Sequence, residues 1–128
     1  MPLRPSKNEI YKKVADALAA IEAGRRMVVA MEKHLADDMA ELDIDDDELW
    51  NVLSVLLKEV QTSDPDKCYA GTRPPQKAYE PEIEDEELWA YAWPSCHFGR
   101  GMYVKFAMKR NAKGEWVFWH VRLHEDKP

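Results

Sequence analysis

Toward the end of the chain stand a tyrosine, a lysine, a histidine and an arginine, Tyr103, Lys105, His120 and Arg122, whose side chains together meet the needs of one reaction. Cutting RNA without a metal takes a base for the 2′-hydroxyl, cations for the charge that gathers on the phosphorane, and an acid for the departing 5′-oxygen. Imidazole serves as acid or base near neutral pH, so His120 or Tyr103 would handle the 2′-hydroxyl proton while Lys105 and Arg122 stabilise the phosphorane. The same four residues also suit the solvated outer face of a hairpin, with Tyr stacked on Arg and the cations keeping the surface soluble. The choice between these readings depends on whether the fold gathers the four.

Strand periodicity is what would gather them. Met102, Val104, Phe106 and Met108 alternate with Tyr103, Lys105, Ala107 and Lys109, and Val117, Trp119, Val121 and Leu123 alternate with Trp116, Phe118, His120 and Arg122. If Arg110 pairs with Glu115 across the loop Asn111 to Gly114, then Met102 faces Leu123, Val104 faces Val121, Phe106 faces Trp119 and Met108 faces Val117. One face of the hairpin is then wholly apolar, while the other sets Tyr103 opposite Arg122 and Lys105 opposite His120. Just upstream, Gly99 and Gly101 flank Arg100 in a turn that could present a cation to phosphate, although plain turn chemistry accounts for the same residues.

The rest of the chain supplies the support. Ser6 and Glu9 have the spacing of a capping box, Ile10, Val14, Leu18 and Ile21 form a helical stripe, and Gly24 is a stop signal. Met27, Met31, Leu35, Met39 and Leu42 continue with helical spacing; a short strand fits Met27 to Ala30 equally, and the reading takes helix from about Ala30. Carboxylates from Asp43 to Asp47 favour a helix start before the apolar face of Leu49, Val52, Leu53, Leu56, Leu57 and Val60. Pro65, Pro74, Pro75 and Pro81 with Gly71 exclude regular helix and mark a long loop of a kind often functional. The acidic run Glu82 to Glu87 then leads into an aromatic-rich strand, Leu88 to Trp93. The expectation is a single α+β domain over 1–128, helical in 6–60, with a Pro-rich loop over 61–81 and an antiparallel sheet over 88–124 on which the helices pack.

Composition narrows the function classes. The net charge of −6 argues against a broad nucleic-acid binder, yet residues 1–93 carry 11 Lys and Arg against 21 Asp and Glu, whereas residues 94–128 carry 7 against 3. The C-terminal part is locally basic. No apolar run approaches the ~18 residues of a membrane span and residues 1–6 lack a secretion signal, so a cytoplasmic protein with reduced thiols is expected. Cys68, Cys96, His97 and His124 show no CxxC or HxxxH spacing, so a buried thiol and surface imidazoles are expected rather than a metal site. Trp89, Tyr91, Trp93, Trp116 and Phe118 could stack unpaired bases, and core packing fits them as well.

From Glu22-Ala23-Gly24 onward the chain resembles the MqsR family of toxin ribonucleases, within the RelE-like superfamily. The likeness rests on the order and spacing of Ala23-Gly24, Leu42-Asp43-Ile44-Asp45 before the apolar helix, Trp89 in the first sheet strand, Met102-Tyr103-Val104-Lys105 and Val121-Arg122. The resemblance implies helices on a small antiparallel sheet, messenger-RNA cleavage without metal or small-molecule cofactor, and control by an antitoxin partner. It implies that Tyr103 and Lys105 place an aromatic hydroxyl and a cation near the scissile phosphate, and that Arg122 fills the basic position of the last strand. His120 falls where the family has a small polar residue, so its role comes from the shared face alone. Lys67 and Tyr69 match, in reversed order, a Tyr-Lys segment after the third helix, and with Arg100 and Lys109 they complete the expected RNA contacts. The alternative is a non-catalytic protein-binding module on the same fold, docking through the acidic half or the aromatic face.

Overall fold

The computed structural model describes residues 4–29 and 32–126. In chain order the elements are helix α1 (Lys7–Glu22), strand β1 (Arg26–Val28), helices α2 (Glu32–Leu42), α3 (Asp46–Thr62) and α4 (Pro65–Cys68), a 3-10 turn (Pro81–Ile83), and strands β2 (Leu88–Ser95), β3 (Arg100–Arg110) and β4 (Trp116–Glu125). The class is α+β. Local chemistry explains the helix boundaries. Ser6 Oγ accepts the Glu9 amide while the Glu9 carboxylate accepts the Ser6 amide, both at 3.1 Å, and Asp45 with Glu48 repeats the capping box at α3. Gly24 adopts φ +80°, the left-handed conformation that lets Arg25 N–H reach Ala20 O at 2.9 Å and close α1.

The expectation of a purely antiparallel sheet needs correction. β2, β3 and β4 are antiparallel, but β1 joins the edge of β4 in parallel, giving the mixed order β1-β4-β3-β2. The backbone past the Gly24 cap supplies the pairing: Phe118 N–H donates to Arg25 O at 2.9 Å and Val29 N–H to His120 O at 3.0 Å. The short-strand alternative at Met27 therefore holds for Arg26–Val28. The predicted start of the second helix at Ala30 lies outside the described residues, and α2 is observed from Glu32.

The hairpin register also differs. Asn111 Oδ1 accepts the amides of Lys113 and Glu115 at 2.9 and 3.0 Å, and Gly114 turns at φ +78°, so Glu115 is drawn into the turn and Arg110 pairs with Trp116 instead. This slip of one residue puts Met108 opposite Phe118 and Phe106 opposite His120. A bulge between Lys105 and Phe106, with Val121 the extra residue on β4, then shifts the pairing once more, so that Lys105 meets Arg122, Val104 meets Leu123 and Tyr103 meets His124. One slip turns β4 over, and the bulge turns its second half back.

Both faces of the sheet are covered near the hairpin turn. On one face α1 and α3 pack Ile10, Leu53, Leu56 and Leu57 against Tyr91, Val104, Phe106 and Phe118. On the other, residues 70–87 cross the strands and bury Ala78 and Ile83 with Leu88 and Ala107, against which Trp119 and Val121 pack. The far turn is fastened to α3 by Glu59, whose carboxylate accepts Trp93 Nε1 at 3.0 Å, Ser95 Oγ at 2.7 Å and the His97 amide at 2.8 Å. Burial works to raise the Glu59 pKa, but these donors together hold it below the usual carboxylate value. Glu59→Gln is expected to lower stability by about 1–3 kcal/mol in urea unfolding; an unchanged midpoint would show that the turn needs no such anchor.

Candidate functional site

The bulge at Val121 decides which histidine shares a face with Tyr103 and Lys105. His120 does not. It falls on the helix side opposite Phe106, is only 2% exposed, and its Nδ1 is buried without a hydrogen-bond partner. Burial pushes its pKa down to about 4, outweighing the upward pull of the Asp38 carboxylate, while the Arg122 charge pushes the same way as burial. A neutral imidazole sealed from solvent cannot take a proton from a ribose hydroxyl. In its place the register delivers His124, directly opposite Tyr103, with ring centroids 4.9 Å apart and planes inclined by 21°. His124 Nδ1 lies 2.8 Å from Glu125 O. A carbonyl only accepts, so Nδ1 carries the hydrogen, and in the neutral imidazole this leaves the Nε2 lone pair that a general base requires.

Tyr103 and Lys105 extend from β3 under the Pro-rich loop, where they line a pocket of about 140 Å³ with Gly71, Thr72, Gln76 and Ala90. Burial raises the Tyr103 pKa, Asp126 adding to the rise and Arg122 opposing it, so the phenol stays protonated at neutral pH and acts as a donor. Lys105 makes no ion pair among the described residues and sits opposite Arg122. Arg122 shares this face as expected, yet it is engaged: its Nε and Nη2 donate to the two oxygens of Asp38 at 2.9 and 3.0 Å. Asp38, 3% exposed on α2, also accepts the Leu123 amide at 3.1 Å. β1 pairs only with Phe118 to His120, so α2 serves as the neighbour of the second half of β4. Arg122 and His124 line a further hollow of about 300 Å³ with Glu41, Glu125 and Asp126.

The expected RNA-binding residues do not form one surface. Lys67 is exposed on α4. Tyr69 is wedged between Trp89 and Tyr91, its hydroxyl donating to Thr72 O at 2.6 Å. Arg100 begins β3 with its guanidinium over the Phe98 ring, and Lys109 lies near the opposite end of the same strand, roughly 30 Å away at the strand rise. Of the aromatic candidates, Trp89, Tyr91, Trp93 and Phe118 are buried in the core and cannot stack a base. Trp116 is engaged by Lys13 and Arg110, whose charges lie 4.5 and 4.1 Å from its ring centre. Cys68 is buried, Cys96 is exposed, and among the described residues no three or more His, Cys, Asp or Glu are grouped so that they could hold a metal ion.

Two residues of this site were not assigned to it from the sequence. His124 enters through the bulge, which hydrophobic alternation does not reveal. Asp38 is 84 positions from Arg122 and carries no local signal. Together Tyr103, Lys105, Arg122 and His124 offer a proton donor, a proton acceptor, one unpaired cation and one cation paired to a carboxylate. No family model, curated protein or solved structure matches the chain. Among the described residues, no helix is long and apolar enough to cross a membrane.

Proposed function

We propose that the protein is a toxin-type, metal-independent endoribonuclease with a RelE-like, MqsR-like sheet, acting on messenger RNA and held in check by an antitoxin. The observation that carries the reading is the pairing of Tyr103 with His124 beside Lys105 on one sheet face. In this reading His124 Nε2 takes the 2′-hydroxyl proton and the 2′-oxygen attacks the adjacent phosphorus. Lys105 stabilises the dianionic phosphorane, and the P–O5′ bond breaks as Tyr103 gives its proton to the leaving oxygen. The products are a 2′,3′-cyclic phosphate and a 5′-hydroxyl. Tyr103 can fill the acid role because its phenol carries its proton at neutral pH, burial raising its pKa further. Asp38 holds the Arg122 guanidinium through Nε and Nη2, which fixes its charge beside the site and leaves the Nη1 hydrogens as donors toward the phosphate.

The test is cleavage of single-stranded RNA by purified protein in EDTA. Cyclic-phosphate ends are expected, with cleavage reduced by about 10²-fold or more in Lys105→Ala. An intact RNA, or undiminished cleavage by Lys105→Ala, would contradict the assignment. The observation favouring a non-catalytic protein-binding module is the Arg122–Asp38 pair together with the acids around His124, an arrangement that also serves to dock a basic partner.

A further inference from the structure

At the hairpin end of the sheet a cleft of about 440 Å³ opens between the α1–β1 turn and the β3–β4 loop. Arg25, Arg26, Lys109 and Arg110 line it, and no carboxylate does. Each cation is fixed by a backbone carbonyl: Arg25 Nε by Trp116 O at 2.9 Å, Arg26 Nη1 by Ile21 O at 3.1 Å, Lys109 Nζ by Glu82 O at 2.9 Å and Arg110 Nη1 by Gly114 O at 2.6 Å. A carbonyl holds a cation in place without cancelling its charge. Glu115 gives Arg25 a carboxylate at 3.7 Å; the salt bridges among the described residues include none for the other three. In a chain of net charge −6, this is a local excess of positive potential in a concave site. Between the cations, Met27 pairs with Trp119 across the β1–β4 ladder, Met27 is 49% exposed, and both side chains belong to the cleft. The Arg26 and Arg110 guanidiniums also lie over the Trp50 and Trp116 rings, 5.3 and 4.1 Å from their centres, and an aromatic ring and a thioether beside fixed cations match a flat base carrying a phosphate.

We infer that this cleft seats one nucleotide of a single-stranded RNA, its base against Trp119 and Met27 and its phosphates among Arg25, Lys109 and Arg110. The assignment rests on the RNA-cleaving reading in that it names how the same substrate is held, away from the reacting bond. Lys109 stands about 13 Å along β3 from Lys105, so the cleft takes nucleotides that flank the cut and contributes to which sequences are chosen.

The experiment uses the full chain carrying Lys105→Ala and His124→Ala, so that the RNA survives, titrated with a short fluorescein-labelled single-stranded RNA. Adding Trp119→Leu is expected to weaken binding about tenfold. Trp119 also packs on the loop over residues 70–87, so a second variant, Lys109→Gln with Arg110→Gln at exposed positions, guards against misfolding; it should weaken binding and flatten the dependence on log salt by about one unit. Unchanged affinity in the second variant overturns the inference, as does adenosine monophosphate competing as strongly as the oligonucleotide, which would make this a free-nucleotide site. If wild-type protein cuts RNA while the cleft variants bind it normally, the cleft assignment alone fails. If binding depends on the cleft in a chain that never cuts, only the cleavage reading fails.

Discussion

Arg122→Ala is expected to destabilise the fold by roughly 3–5 kcal/mol, with Asp38→Ala milder at about 2–3 kcal/mol. The asymmetry follows from burial. Removing the arginine leaves the Asp38 carboxylate sealed inside, with the Leu123 amide its remaining donor among the hydrogen bonds described. Removing the aspartate leaves an arginine side chain that is 30% exposed and can turn to water, and it orphans one buried amide. Replacing the pair together, Asp38→Leu with Arg122→Met, should restore most of the loss, because apolar groups of similar size need neither desolvation nor a partner. Urea unfolding of the three variants checks this; an Arg122→Ala protein as stable as wild type would show that the pair does not fasten α2 to β4. The result bears on function too. Loss of cleavage in Arg122→Ala would by itself report unfolding as readily as chemistry.

Acid should weaken the fold through His120. Its pKa in the folded chain is pushed down to about 4 by burial, against an ordinary value of about 6.5 in the unfolded chain. Between these values the unfolded chain binds the proton that the folded chain refuses, so stability is greatest above pH 6.5 and falls as pH falls. The loss amounts to about 2 kcal/mol by pH 5 and about 3 kcal/mol by pH 4. His120→Leu should flatten the profile over pH 5–6.5, a range above that in which the lowered carboxylates Glu9 and Glu59 titrate. Urea midpoints measured across that range test it, and a wild-type profile as flat as that of the variant would contradict the burial of a neutral imidazole.

The two predictions concern residues that sequence patterning treats very differently. Helices α1 and α3 are legible because their signals are local: a capping box at Ser6, another at Asp45, a left-handed glycine at Gly24, and apolar residues every three or four positions. Strands β2, β3 and β4 are legible from alternation. The register of β4 is not, because Val117-Trp119-Val121 and Trp116-Phe118 are both apolar and both faces of the sheet are covered, one by α1 and α3 and the other by the loop over residues 70–87. Hydrophobic alternation fixes register only where one face is wet. The deciding groups were the Asn111 side chain, which draws Glu115 into the turn, and the bulge at Val121. Their two shifts cancel in parity beyond the bulge, which is why Arg122 keeps its face and His120 loses its own. The strand at Arg26–Val28 was hard to read because three residues are too few for periodicity to separate strand from helix.

The bulge gives the proposed cleavage a direct test, since in that reaction the imidazole facing the ribose is His124 and not His120. RNA cleavage in EDTA by His124→Gln and by His120→Leu, each verified as folded by circular dichroism, separates the two directly. His124→Gln is expected to lose about 10²-fold or more in rate, while His120→Leu is expected to cut at close to the wild-type rate near neutral pH. Full activity in His124→Gln, with activity lost in a folded His120→Leu, would contradict that assignment.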